Sequence, residues 1–71
     1  MKQALIKVLA SMKMAEENKV LVVMKLDTDE KIYHFLKWLQ KEIPEDQVTK
    51  NQDLIVGKAV EISKKIVKEK K

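Results

Sequence analysis

The stretch from Asn18 to Leu36, NKVLVVMKLDTDEKIYHFL, distinguishes two possible folds for this chain. Its residues 20–26, VLVVMKL, include three valines within four positions. Branched side chains of this kind lose rotamer freedom in a helix and pack well on a pleated sheet. The run has the length of a strand and ends at Asp27, a helix-capping residue type. We therefore predict a strand over residues 20–26, and the alternative is that these residues are the last turns of a long first helix.

The composition predicts one small, mainly helical domain spanning residues 1–71. Apolar residues make up 45% of the chain, which contains a single Gly and a single Pro. That is too apolar for a disordered chain and too poor in turn residues for an all-β domain. A chain this short buries only about 60% of its unfolded surface, so its core is marginal and dimerisation would help.

Helical patterns flank the predicted strand on both sides. A first helix over residues 2–17 carries an apolar stripe at helical spacing, and we expect it to end near Asn18 because Asn is a common stop residue. A second helix over residues 28–43 should start after a capping box in which Asp27 accepts from the Glu30 amide, and should end before Pro44. A third helix over residues 50–69 has an apolar face wide enough to contact two or more elements.

Several classes of protein are excluded or disfavoured by the residue content. There are no cysteines and one histidine, His34, so we expect no metal site and no cofactor. Neither a Ser-His-acid order nor a glycine-rich phosphate loop is present, so we expect no enzyme. No apolar stretch approaches the roughly 20 residues that span a bilayer. The chain start lacks the continuous apolar segment of a signal peptide, so we predict a cytoplasmic protein that does not bind membranes.

A lone strand needs a partner, because its backbone donors and acceptors cannot stay unpaired. The chain offers no second strand, so we predict that residues 20–26 pair antiparallel with the same residues of a second copy in a homodimer. The strand would then be followed in each chain by a helix, a connector and a second helix. Three short motifs accompany this order: Met24-Lys25-Leu26-Asp27 at the strand end, Val48-Thr49-Lys50-Asn51 before the last helix, and Leu54-Ile55-Val56-Gly57-Lys58-Ala59 within it.

This order and these motifs resemble the ribbon-helix-helix superfamily, which contains the Arc and Met repressors. The resemblance covers about residues 19–67 and leaves residues 1–18 as an N-terminal helical extension of a core over residues 19–71. It implies a small homodimeric DNA-binding protein, such as a transcriptional regulator or antitoxin-like repressor, whose ribbon lies in the major groove. The three residues facing the groove would be Leu21, Val23 and Lys25, while Val22, Met24 and Leu26 would face the core.

The start of the last helix is the second predicted DNA contact. Backbone amides there, with the Thr49 hydroxyl, the Lys50 ammonium and Asn51, would hold a DNA phosphate. This part of the chain is basic, since residues 49–71 carry seven Lys against three acids. Residues 1–26 are also basic, with five Lys against Glu16 and Glu17. None of the basic residues is Arg, which argues against recognition of guanine-rich sequences.

Two alternative interpretations of the sequence do not involve DNA binding. If residues 20–26 continue a helix, the chain is an all-α three-helix bundle and a non-enzymatic helical protein–protein interaction module. If the dimeric ribbon forms, Leu21 and Val23 on its outer face could instead contact a protein. The basic ends would also suit an acidic protein partner.

Overall fold

A computed structural model describes the backbone of residues 1–69 and the side chains of residues 1–64. It contains four α-helices, which are α1 (Lys2–Ala10), α2 (Glu16–Lys25), α3 (Asp29–Glu42) and α4 (Gln52–Glu69). Two short 3-10 turns, Glu45–Gln47 and Thr49–Asn51, connect α3 to α4.

The predicted strand is wrong. Residues 20–25 form the greater part of α2, and Leu26 is its C-cap, where the Leu26 amide donates to the Val22 carbonyl. The described residues contain no strand, so the two-stranded ribbon on which the ribbon-helix-helix dimer depended does not exist. The alternative all-α bundle has the correct fold class, with four helices in place of three.

The predicted first helix over residues 2–17 is too long, because this range contains α1, a connection over residues 11–15 and only the first two residues of α2. The first ends at Ala10, where Ser11 takes the C-cap position and its hydroxyl donates to the Val8 carbonyl at 2.9 Å. Met12 and Met14 in the connection are buried, so their side chains anchor the turn in the core. Glu16 and Glu17 occupy the first turn of α2, where the helix dipole favours negative charge.

The start of α3 differs by one residue from the predicted cap. Thr28 is the N-cap, and its hydroxyl oxygen accepts from the Lys31 amide at 3.3 Å. Asp27 therefore lies before the cap, and its carboxylate accepts from the Lys31 ammonium at 2.9 Å. The hydrogen bond and the charge of Lys31 hold the pKa of the Asp27 carboxyl below its ordinary value. The helix ends at Glu42, before Pro44, as the sequence requires.

The four helices pack in a closed ring in which α1 and α4 each contact both α2 and α3. The wide apolar face of α4 is thus covered by two helices of the same chain. Its buried residues are Ile55, Ala59 and Ile62, whereas the side chains of Ile66 and Val67 lie outside the described residues. The largest fully buried side chains of the core come from all four helices and from the α2 C-cap, and are Leu5, Leu9, Val22, Leu26, Ile32, Phe35 and Ile55.

Gly57→Ala should stabilise the protein. Gly57 lies inside α4 on an exposed face, and a Cβ placed there meets no heavy atom within 4 Å. Gly costs about 1 kcal/mol relative to Ala in a helix interior, so we expect the free energy of unfolding to rise by about 0.5–1 kcal/mol. Urea unfolding followed by circular dichroism measures this change. A decrease would indicate that another molecule, or another part of the chain, approaches the helix at this glycine.

Candidate interaction surface

Side chains from other helices bind both ends of α2. Its N-cap residue, Ala15, has no side chain that can cap. The cap comes from Gln52 at the start of α4, whose Oε1 accepts from the Ala15 amide and from Asn18 Nδ2, each at 2.8 Å. The Gln52 amide nitrogen donates to the Thr49 carbonyl at 3.1 Å, which fixes the orientation of the side chain.

The C-terminal end of α2 is held by Lys2 of α1. The Lys2 ammonium donates to the carbonyls of Val23 at 3.3 Å and Leu26 at 3.2 Å. A cation is favourable here because the last carbonyls of a helix carry partial negative charge. Contacts from α1 and α4 therefore fix the position of a helix that its own sequence caps poorly.

This position leaves an apolar part of α2 on the surface. Val20, Leu21 and Met24 are exposed, and Met24 is the most exposed of the described large apolar side chains at 67%. Ile6 on the adjacent helix α1 is about half exposed. Isolated surface apolar residues need no explanation, but these four lie on two helices that pack against each other.

A groove runs between α1 and α2 with a volume of about 380 Å³. Glu16 and Lys19 lie at its margin and form an ion pair at 3.7 Å. Its apolar lining comes from residues spaced three and four apart on each helix, which places them on one side of that helix. We call this site the α1–α2 groove, and its apolar lining is Ile6, Leu9, Ala10, Val20, Val23 and Met24.

The residues predicted to face DNA from a ribbon do not share a surface. Leu21 and Lys25 are exposed and four residues apart, so they lie on the same side of α2. Val23 lies about 200° around the helix from Leu21 and lines the α1–α2 groove. Of the three residues predicted to face the core, Val22 and Leu26 are buried whereas Met24 is exposed. A strand would place all three on one face, and the helix separates them.

The predicted phosphate contact at residues 49–51 lies in a 3-10 turn before α4, where two of its side chains have partners within the chain. The Thr49 hydroxyl donates to the Lys13 carbonyl at 3.0 Å, and Asn51 Nδ2 donates to the Gln47 carbonyl at 2.8 Å. Lys50 is exposed. DNA binding by these residues stays a prediction that the structure does not test.

The roles of Ile6 and Val20 in lining the groove and of Gln52 in capping α2 were not predicted from the sequence. The sequence did contain a signal for α2, because Glu16 and Glu17 precede an apolar run and Lys25 lies near its end. Acids in the first turn and a base in the last turn are favourable for a helix dipole. No sequence signal could identify Gln52, because it caps a helix 34 residues away from Asn18 in the chain.

No three His, Asp or Glu side chains among the described residues lie together as a metal site would require. Within the same part of the chain, no helix combines the length and apolar character needed to cross a bilayer. Comparison with protein-family models, with curated proteins and with solved structures found no match. The resemblance to ribbon-helix-helix proteins thus gains no support from a relative, and the fold that it implied is wrong.

Proposed function

We propose that this protein is a non-enzymatic helical interaction module that binds an amphipathic helix of a protein in the α1–α2 groove. The observation that supports this proposal is the groove itself, because its apolar lining opens to solvent and adjoins the exposed Leu21. Amphipathic helices bind such grooves by inserting apolar residues spaced three and four apart. We further expect the protein to act in the cytoplasm.

The shape and chemistry of the groove suit a helix better than an extended peptide. The described residues contain no strand whose edge could pair with an extended chain, so backbone hydrogen bonds would not hold one. Apolar contact must therefore supply the affinity, at about 25 cal/mol for each Å² of apolar surface removed from water. Met24 and Val20 on α2 and Ile6 on α1 present the apolar surface for this contact.

Titration with designed helical peptides tests the proposal. Each peptide carries the same apolar stripe, and the polar faces are neutral, acidic or basic. The acidic peptide represents the acidic protein partner that the lysine-rich ends of the chain suggest. We expect chemical-shift changes in nuclear magnetic resonance spectra to be confined to the α1–α2 groove. Met24→Glu should weaken binding about tenfold or more, because a charge would replace the most exposed apolar contact.

Tyr33→Glu is the matched control, because Tyr33 is also exposed but lies on α3, which does not pack against α2 in the described residues. It should leave peptide binding unchanged. A titration with duplex DNA in the same buffer tests the competing function, which is DNA binding. Binding to DNA that Lys50→Ala weakens, together with no peptide binding in the groove, would contradict the interaction module and favour the predicted phosphate contact.

A further inference from the structure

We propose that the helix bound in the α1–α2 groove carries an Asp or Glu side chain beside its apolar stripe, and that Lys19 binds this carboxylate. This inference rests on the proposed function, because it names the chemistry of the partner at the same surface. It makes Lys19 the residue that selects an acidic amphipathic helix over a neutral one.

Most of the Lys19 side chain is covered in the wall of the α1–α2 groove. Lys19 follows Glu16 by three residues and precedes Val23 by four, so the three side chains share one side of α2, and all of them line the groove. The Lys19 side chain is only 16% exposed. The methylene groups of such a lysine pack on apolar neighbours while the ammonium reaches water. Packing of its own stem therefore holds the Lys19 ammonium at the groove margin.

The Lys19 ammonium is weakly bound within the described part of the chain. The Glu16 carboxylate lies 3.7 Å from it, which is too long for a hydrogen bond, and the Glu16 side chain is 89% exposed. Such an exposed ion pair contributes little to stability. Lys2, at the other end of α2, already donates to two backbone carbonyls at 3.2 and 3.3 Å. Lys19 therefore has the greater capacity to bind a carboxylate from another molecule.

A helix seated in the groove would remove water from the Lys19 ammonium. An ammonium that loses water without gaining an acceptor costs free energy, so a partner that covers Lys19 with an apolar side chain binds less tightly. A carboxylate at this position instead accepts a charge-assisted hydrogen bond, which is stronger than the bond to a neutral amide. Lys19 thus discriminates between partners that carry the same apolar stripe.

Glu16 competes with the carboxylate of the partner for Lys19. Its side chain is exposed enough to turn toward solvent when a partner binds, and its weak ion pair makes this displacement inexpensive. Its negative charge nevertheless repels a second carboxylate placed beside Lys19. Removing the charge of Glu16 should therefore strengthen the binding of an acidic helix.

Two helical peptides with the same apolar stripe test the selection. One peptide carries Glu at both ends of the stripe and the other carries Gln at the same positions, so the direction in which a peptide binds does not affect the comparison. We expect the full chain to bind the Glu peptide about fivefold more tightly at low salt, and we expect added salt to reduce this ratio. Titrations followed by nuclear magnetic resonance give both affinities and locate the bound peptide.

Substitutions in the ion pair assign the ratio to Lys19. Lys19→Met keeps a long apolar stem and removes the charge, so it should bind the two peptides equally tightly. Lys19→Arg keeps the charge and should retain the preference for Glu. Glu16→Gln should bind the Glu peptide about twofold more tightly than the unmodified chain does and leave the Gln peptide unchanged. Comparing ratios removes any difference in helix content between the peptides.

Lys58→Met is the matched control. Lys58 forms an ion pair of the same spacing with Glu61 on α4, at 3.6 Å, and does not line the α1–α2 groove. Its ammonium lies 5.7 Å from the centre of the Trp38 ring on α3. This variant should keep the fivefold preference for the Glu peptide. Thermal melting followed by circular dichroism confirms that each variant folds.

Three results would overturn the inference in distinguishable ways. Equal binding of both peptides in the groove of the unmodified chain at low salt means that Lys19 selects nothing, and it leaves the interaction module intact. A preference for Glu that survives in folded Lys19→Met means that another cation binds the carboxylate. Binding of neither peptide in the groove contradicts both the inference and the interaction module.

Discussion

Leu26→Ala should lower the free energy of unfolding by about 2–5 kcal/mol, because it removes a fully buried side chain and leaves a cavity in the core. A chain of 71 residues has about 4–10 kcal/mol of total stability, so the variant would be close to unfolding. Urea unfolding measured at a concentration where the protein is monomeric gives the difference.

Met24→Ala is the informative control for this prediction. Met24 precedes Leu26 by two residues, so on a strand both side chains would point to the same face and both changes would be costly. On α2 they point to different sides of the helix, and Met24 is 67% exposed. The control should therefore change the stability of the monomer by less than about 0.5 kcal/mol. Equal losses for the two variants would contradict the helix.

Gln52→Ala should cost about 1–2 kcal/mol, because it removes the acceptor that caps α2 from outside that helix. We expect the change to lower the stability of the whole protein and also to loosen the start of α2. Hydrogen exchange at the Ala15 amide should accelerate, because that amide donates to Gln52 Oε1 at 2.8 Å. Unfolding in urea and exchange measured by nuclear magnetic resonance together separate the two effects.

Gln3→Ala provides the control for Gln52. It makes the same chemical change at an exposed position on α1 and should leave both the stability and the Ala15 exchange rate nearly unchanged. If Gln52→Ala behaves in the same way, then α2 does not depend on a cap supplied by α4.

Local preference was a poor guide to residues 20–26. The valines that favoured a strand lie in α2, and Val22 and the C-cap residue Leu26 are both fully buried. Branched side chains lower helix propensity by only a few tenths of a kcal/mol each, whereas burying one large apolar side chain contributes about 1.5–3 kcal/mol. Burial together with capping by Gln52 and Lys2 therefore outweighs the local preference for a strand.

The predicted outward face was wrong because it assumed a strand. The residues chosen as outward facing, Leu21, Val23 and Lys25, were selected from a repeat of two, and the helix repeats every 3.6 residues. The large exposed apolar residues that line the α1–α2 groove are Ile6, Val20 and Met24, and they lie together only because α1 packs beside α2. Because Ile6 lies on a different helix from Val20 and Met24, the periodicity of a single segment cannot show that these residues are neighbours.

Helices α3 and α4 could be predicted from the sequence, because their signals are local. The apolar stripe of α3 and the proline after it predict its extent closely, and the apolar stripe that continues through α4 predicts that helix. Local signals in residues 16–25 conflict, and tertiary contacts determine that these residues form a helix, because the cap at Gln52 and the buried partners on α1 and α4 are distant in the chain. The apolar surface is likewise a product of packing, since a groove exists only where two helices meet.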